Sequence, residues 1–150
     1  MKEILERLNY LIVALPLKVK QFSEQEVSEQ PEKKWSKKEI LGHLCDSATN
    51  NYHRFIRIQF EKLPFFLVSY DQNNWVLIHD YQTIPTDEIV DFWITINQQI
   101  IRIISNIPEG KLLYLCDIGE NKYITLSELI QDYVRHMDHH LGQIFGASSI

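Results

Sequence analysis

Apolar residues recur every three or four positions in four separate stretches of this chain, the period of an amphipathic helix. In the first stretch Ile4, Leu5, Leu8, Leu11, Ile12, Leu15, Val19 and Phe22 fall on one face. Pro16 interrupts it and is expected to kink or split the helix. Residues 25–34 are polar, contain Pro31 and read as a connection. A second helix opens at Ser36, where Ser36-Lys37-Lys38-Glu39 is a capping box: serine and glutamate each satisfy an orphan backbone N–H. Its stripe is Leu41, Leu44, Cys45, Ala48, Tyr52, Phe55 and Ile56, and it ends before Pro64. A third helix follows Thr86, with Asp87 and Glu88 at its positive end and Ile89, Phe92, Trp93, Ile96, Ile100, Ile103 and Ile104 on its core face. Its β-branched content also permits a strand, but period 3.6 fits better than period 2. Pro108-Glu109-Gly110 ends it. Thr125-Leu126-Ser127-Glu128 is a second capping box and opens a fourth helix, whose buried stripe is Leu126, Leu129, Ile130, Tyr133, Met137, Leu141 and Ile144.

The expected fold is all-α: one domain over residues 1–150, a four-helix bundle. Between its second and third helices runs a long connection with Phe65, Phe66, Tyr70, Trp75 and Tyr81, and with turn chemistry at Asp71-Gln72-Asn73-Asn74. A structureless connection of that length is unusual in a compact domain and tends to be functional. Residues 112–123 are expected to hold short extended pieces around Gly119-Glu120-Asn121.

A length of 150 residues with 45% apolar content is enough for a core without staples. The net charge of −5 and the lack of a basic stripe exclude a duplex nucleic-acid binder. The basic cluster Lys33, Lys34, Lys37 and Lys38 is interleaved with Glu32 and Glu39 and reads as a solvated helix start. No apolar run approaches the ~18 residues of a membrane span, and the first residues lack a signal-peptide pattern. Two distant cysteines, Cys45 and Cys116, point away from a disulfide framework and toward a reducing cytoplasm. Cys45 falls on an apolar face and reads as a core residue.

The chemistry concentrates in histidines. A spacing of four places His136 and His140 one above the other on the fourth helix, where two imidazoles can grip one cation. His43 is the candidate third ligand, and three neutral imidazoles with an open fourth position would make a Lewis-acid site. His139 points further toward solvent. His53 and His79 have no partner pattern. His43 shares a polar stripe with Glu39, Asp46, Ser47, Asn50 and Arg54, which either lines a wet groove or forms the outer face. His43 lies about two turns into its helix and His140 about two turns from the end of its own, so their levels coincide only in antiparallel helices. The long crossover permits this: it lets the third helix run parallel to the second and the fourth return antiparallel to both, an up-down-down-up order.

Trp35-Ser36-x-x-Glu39-Ile40-Leu41-Gly42-His43-Leu44-x-Asp46-Ser47, then Tyr70-Asp71-Gln72-Asn73-Asn74-Trp75, then His136-x-x-His139-His140-x-Gly142-Gln143-Ile144 together resemble the DinB-like superfamily, close to its YfiT branch. The resemblance covers nearly the whole chain. It implies a four-helix bundle with a down-down middle pair, a homodimer, and a divalent metal ion, zinc or nickel, held by His43, His136 and His140. Leu141 stands where relatives frequently carry arginine. Members of known activity include thiol-dependent transferases and isomerases, and YfiT-type members are described as candidate metal-dependent hydrolases.

The expected function is therefore that of a cytoplasmic metal-dependent enzyme acting on a small molecule, by hydrolysis or by S-transfer from a low-molecular-weight thiol. Asp46, one turn beyond His43, is the candidate carboxylate behind the metal ligands, with an exposed helix aspartate as its alternative. Glu39 is spent on capping. Tyr70, Asp71 and Trp75 form either a pocket wall or a cover for the bundle end. No nucleophile elbow, paired-cysteine site or phosphate loop competes. The alternative function is a dimeric helical interaction module without catalysis.

Overall fold

The computed structural model describes residues 1–146. Four long helices form the bundle: α1 (Lys2–Val19), α3 (Lys37–Arg57), α5 (Thr86–Ser105) and α6 (Leu126–Phe145). Two short helices, α2 (Glu24–Ser28) and α4 (Gln72–His79), lie in the segments the sequence pattern leaves as connections. Each has a local cause. Ser23 and Glu26 form a capping box on α2, and the Asp71 carboxylate accepts the Asn74 N–H to start α4. Pro16 does not split α1, which continues to Val19; by then too few residues remain for a lost hydrogen bond to break it.

Side-chain contacts give the directions. Along α3, His43 meets His136 and Phe55 meets Tyr133, so rising numbers on α3 match falling numbers on α6 and the two are antiparallel. The Cys45 thiol reaches the Ile89 carbonyl near the start of α5, and Lys111, just past α5, donates to the Gln59 carbonyl just past α3. Those two helices therefore run the same way. Arg7 binds Asp138, and Phe22, just past α1, stacks on Phe145, so α1 and α6 run together. The order is up-down-down-up.

A small three-stranded sheet closes one end. β2 (Leu115–Asp117) pairs antiparallel with β3 (Tyr123–Thr125) across the turn at Gly119, and parallel with β1 (Phe65–Phe66), which belongs to the crossover. The Asp117 carboxylate accepts the Gly119 N–H, and the backbone there has φ 89°, which glycine adopts without strain. The extended pieces expected within residues 112–123 are present. The contribution of Phe65 was not visible as a pattern, because two residues are too few to show a period.

α3 is the central element. α5, α6, α2, α4 and the 3-10 turn Tyr81–Thr83 all pack against it, and every residue from Ile40 to Ala48 is buried. The core gathers Leu8, Leu11 and Leu15 of α1, Leu44 and Phe55 of α3, Trp93 and Ile100 of α5, and Ile130 and Met137 of α6. Phe92, assigned to the core face of its helix from spacing, is 48% exposed. Within the core the Tyr133 hydroxyl donates to Asn97 Oδ1 at 2.6 Å, which satisfies the polar atoms of both residues there.

Gly42 lets the crossover close on α3. A Cβ built on it would lie 2.2–2.4 Å from three atoms of the Tyr81 ring. Helix propensity alone favours alanine by about 1 kcal/mol at such a position. The packing argument has the opposite sign and wins, because Tyr81 is buried and cannot move out without opening the crossover. Gly42→Ala is expected to lower the unfolding free energy by about 1–3 kcal/mol in chemical denaturation; unchanged or raised stability would show that the ring does not seat there.

Candidate metal centre

His43 projects from the first third of α3, fixed by the capping box in which Ser36 Oγ accepts the Glu39 N–H and the Glu39 carboxylate accepts the Ser36 N–H. His136 and His140 project from α6, whose start is fixed in the same way by Thr125 and Glu128. Antiparallel packing brings the three rings together. His43 Nε2 lies 3.2 Å from His136 Nε2, and His136 Nε2 lies 3.1 Å from His140 Nε2. Ring centroids are 4.5–5.1 Å apart and the planes cross at 72–73°, so the rings meet by their edges and do not stack. All three donor atoms fall within 4.8 Å of one another.

Those separations fit a cation. Imidazole nitrogens each about 2.0–2.1 Å from a tetrahedral metal stand about 3.3–3.4 Å apart, the edge of the coordination tetrahedron, within a few tenths of an ångström of the two short contacts. Mutual hydrogen bonding fits less well, because His136 Nε2 takes part in both short contacts and has one proton or one lone pair to offer. His140 Nδ1 donates to Gln143 Oε1 at 2.9 Å, which leaves its Nε2 lone pair aimed at the centre. The Gln143 amide in turn donates to His139 Nε2 at 3.1 Å, so exposed His139 orients Gln143 and stays out of the cluster. Burial favours the uncharged ligands. His43 is fully buried and desolvation, with its two neighbours, pulls its pKa down to about 3. Desolvation lowers His136 to about 4 and lowers His140 as well.

The polar stripe of α3 is not an outer face. α4 and Tyr81 cover part of it and α6 covers the rest, leaving two openings beside the histidines. The larger is a cleft of about 840 Å³ lined by Trp35, Ile40, Asn73, His140, Gln143 and the loop before α3. Trp35 lines it and packs on His43, centroids 4.9 Å apart. The smaller, about 170 Å³, is lined by Ser47, Asn51, Arg54, Tyr70, Gln72 and His136 among others. Tyr70 is thus a pocket wall, Trp75 backs it at 5.1 Å, and Asp71 is a helix cap.

Asp46 is buried, 2% exposed, but the structure does not bring it into hydrogen bonding with the cluster. Its Oδ1 accepts the Tyr81 hydroxyl at 2.7 Å and lies 3.1 Å from His79 Nδ1. Burial raises its pKa, against the pull of Tyr81 and His79. His79, for which spacing offers no partner, stacks on Tyr81 at 5.0 Å. No sequence signal pairs residues 46 and 79, since the contact depends on how α4 folds. His53 is exposed, edge-on to Tyr52, and gains no role. Cys45 and Cys116 are free and buried, which raises both thiol pKa values, Cys116 to about 11, so neither is a poised nucleophile.

Across solved structures the chain superposes on YfiT of Bacillus subtilis, described as a candidate metal-dependent hydrolase with an unusual four-helix-bundle topology. The TM-score is 0.87 at 19% identity, over 98% of this chain and 85% of that one. The fold is DinB/YfiT-like. A mycothiol-dependent maleylpyruvate isomerase shares it more distantly, with a TM-score of 0.72 at 12% identity over 93% of this chain and 59% of that one. Two curated relatives, from Bacillus licheniformis and Halalkalibacterium halodurans, are 24% and 21% identical over 112 and 113 residues, and both are named as candidate metal-dependent hydrolases. The matches cover 73% and 75% of this chain but only 62% and 65% of those proteins. No family model matches. The relatives' names and the three converging imidazoles support a divalent metal.

Tyr81→Phe removes the hydroxyl that donates to the buried Asp46 carboxylate while keeping the ring on Gly42. A loss of about 1–3 kcal/mol of unfolding free energy is expected. Full wild-type stability would mean that another donor already serves Asp46.

Proposed function

We propose that this chain is a divalent-metal-dependent hydrolase of a small molecule bound in the cleft beside His140. The observation that carries the reading is the convergence of three buried or half-buried, uncharged imidazoles from two antiparallel helices, with His136 Nε2 3.1–3.2 Å from each of the other two and all three donor atoms within 4.8 Å. Among the described residues no carboxylate or thiolate joins them, so that ligand set is neutral and suits zinc or nickel equally. His43, His136 and His140 would hold such a cation, which would supply Lewis acidity able to lower the pKa of a water or thiol toward neutrality.

The chain's own residues do the rest. His139 and Gln143 hold the His140 ring in one tautomer. Trp35 keeps water from the inner side of His43 and gives a substrate an apolar surface. Ser47, Asn51 and Tyr70 offer hydrogen bonds on the His136 side that can orient a polar group. Hydrolysis is put first because both curated relatives are named for it. S-transfer from a low-molecular-weight thiol is the second reading, favoured by the fold shared with a mycothiol-dependent isomerase. The proposed setting is the cytoplasm, in keeping with two unpaired cysteines. A homodimer has support in the apolar outer side of α1, where Tyr10, Val13 and Leu17 are more than half exposed.

Protein purified without a histidine tag is expected to carry about one zinc or nickel ion per chain by elemental analysis, and to lose it in His43→Ala and in His140→Ala. Metal-loaded protein is then expected to hydrolyse members of an ester and amide panel, and chelation to abolish that turnover. Sparse metal, indifferent to both substitutions, would leave a helical interaction module as the better account.

A further inference from the structure

The large cleft is positively charged, in a chain whose net charge is −5. Its lining includes three ammonium groups, Lys33, Lys34 and Lys37, against one carboxylate, Glu29. The nearby Glu39 carboxylate is held by the Ser36 N–H and the Gln30 amide, and the buried Lys38 is neutralised by Glu24. Among the described residues no carboxylate lies within ion-pair distance of Lys33, Lys34 or Lys37.

Their placement runs against local preference. Lys37 is the first residue of the long helix α3, where the positive end of the helix dipole disfavours a cation. Lys33 has φ 58°, the left-handed region in which a glycine or asparagine costs less. Lys37 has a local return, since its ammonium lies 5.3 Å from the Phe22 ring centroid with the Glu26 charge nearby, so the position without a folding gain is Lys33. The helix start and the three ammonium groups add to one local field that draws anions into the cleft and repels cations. Trp35 lies in the same lining.

From this we infer that the cleft selects an anionic small molecule, its carboxylate or phosphate held by Lys33 and Lys34, with Lys37 adding to the field, and its adjoining apolar part laid on Trp35. The inference rests on the proposed function for taking this cleft as the substrate site. Anion capture itself needs only the lysines, so the two can fail separately.

Phthalate, a planar aromatic dianion, and its neutral dimethyl ester serve as probes, titrated calorimetrically into the protein as purified. The expected result is that phthalate binds more tightly than the diester and that salt weakens phthalate alone. The triple substitution Lys33→Gln, Lys34→Gln, Lys37→Gln is expected to cost roughly tenfold in phthalate affinity and to leave the diester unchanged. These side chains are exposed or half-buried, so the variant is expected to melt like the wild type and keep its metal content. Phthalate binding that survives the triple substitution but disappears in His140→Ala would place the anion on the metal and overturn the lysine assignment. So would a diester that binds as well as the dianion. Lysine-dependent phthalate binding in protein that carries no metal would uphold the anion site and count against the hydrolase.

Discussion

Two residues 93 positions apart, His43 and His136, come within 3.2 Å because α3 and α6 run in opposite directions and pack level with each other. In a bundle that alternates up and down, the second and fourth long helices run parallel, and a residue near the start of one meets a residue near the start of the other. The crossover over residues 58–85 removes that arrangement. It carries the chain back to the same end of the bundle, so that α5 runs beside α3 in the same sense and α6 returns against both. The site therefore depends on topology before it depends on any side chain. The cost of bringing three imidazoles together out of water shows in their depressed pKa values, which also leave them uncharged and able to donate lone pairs.

The crossover that makes the topology possible also builds the walls. α4 and the Tyr81–Thr83 turn fold back over α3, where Gly42 admits the Tyr81 ring and Asp46 accepts its hydroxyl. Gln72 and Asn73, at the start of α4, each line one of the two openings beside the histidines. A polar face on a bundle helix thus becomes buried with part of it paired, since Ser47, Asn51 and Asp46 Oδ1 find partners on α3 itself or on the crossover, while Asp46 Oδ2 and His43 Nδ1 have none. Basic residues gathered at the mouth of the larger cleft then add a field of one sign to a protein of the other.

The four long helices were legible because each is long enough to repeat its period several times, and three of the four begin or end at marked positions. Ser36 and Thr125 cap as their S/T-x-x-E patterns require. The histidine cluster was legible too: a pair at a spacing of four, a third at a compatible level, and a crossover long enough to allow the meeting. Other features had no local signature. α2 and α4 span five and eight residues, about one and two turns, too short for a stripe to stand out from the polar residues around them. Asp71-Gln72-Asn73-Asn74 reads as a turn because a helix cap and a turn draw on the same residues. The contact of Asp46 with His79 and Tyr81 exists only once α4 has folded onto α3, so position in the sequence could place Asp46 near the ligands but not name its partners.

Likeness to YfiT extends over nearly the whole chain at 19% identity, so the shared element is the backbone arrangement. Side chains at the mouth, where charge and shape decide the substrate, are free to differ among proteins with this frame. The most direct test of the central claim is X-ray absorption at the metal edge on untagged protein. Three imidazole ligands at about 2.0–2.1 Å, with one fewer in His136→Ala, are the predicted result. A metal coordinated by oxygen alone, or a first shell unchanged by that substitution, would contradict it.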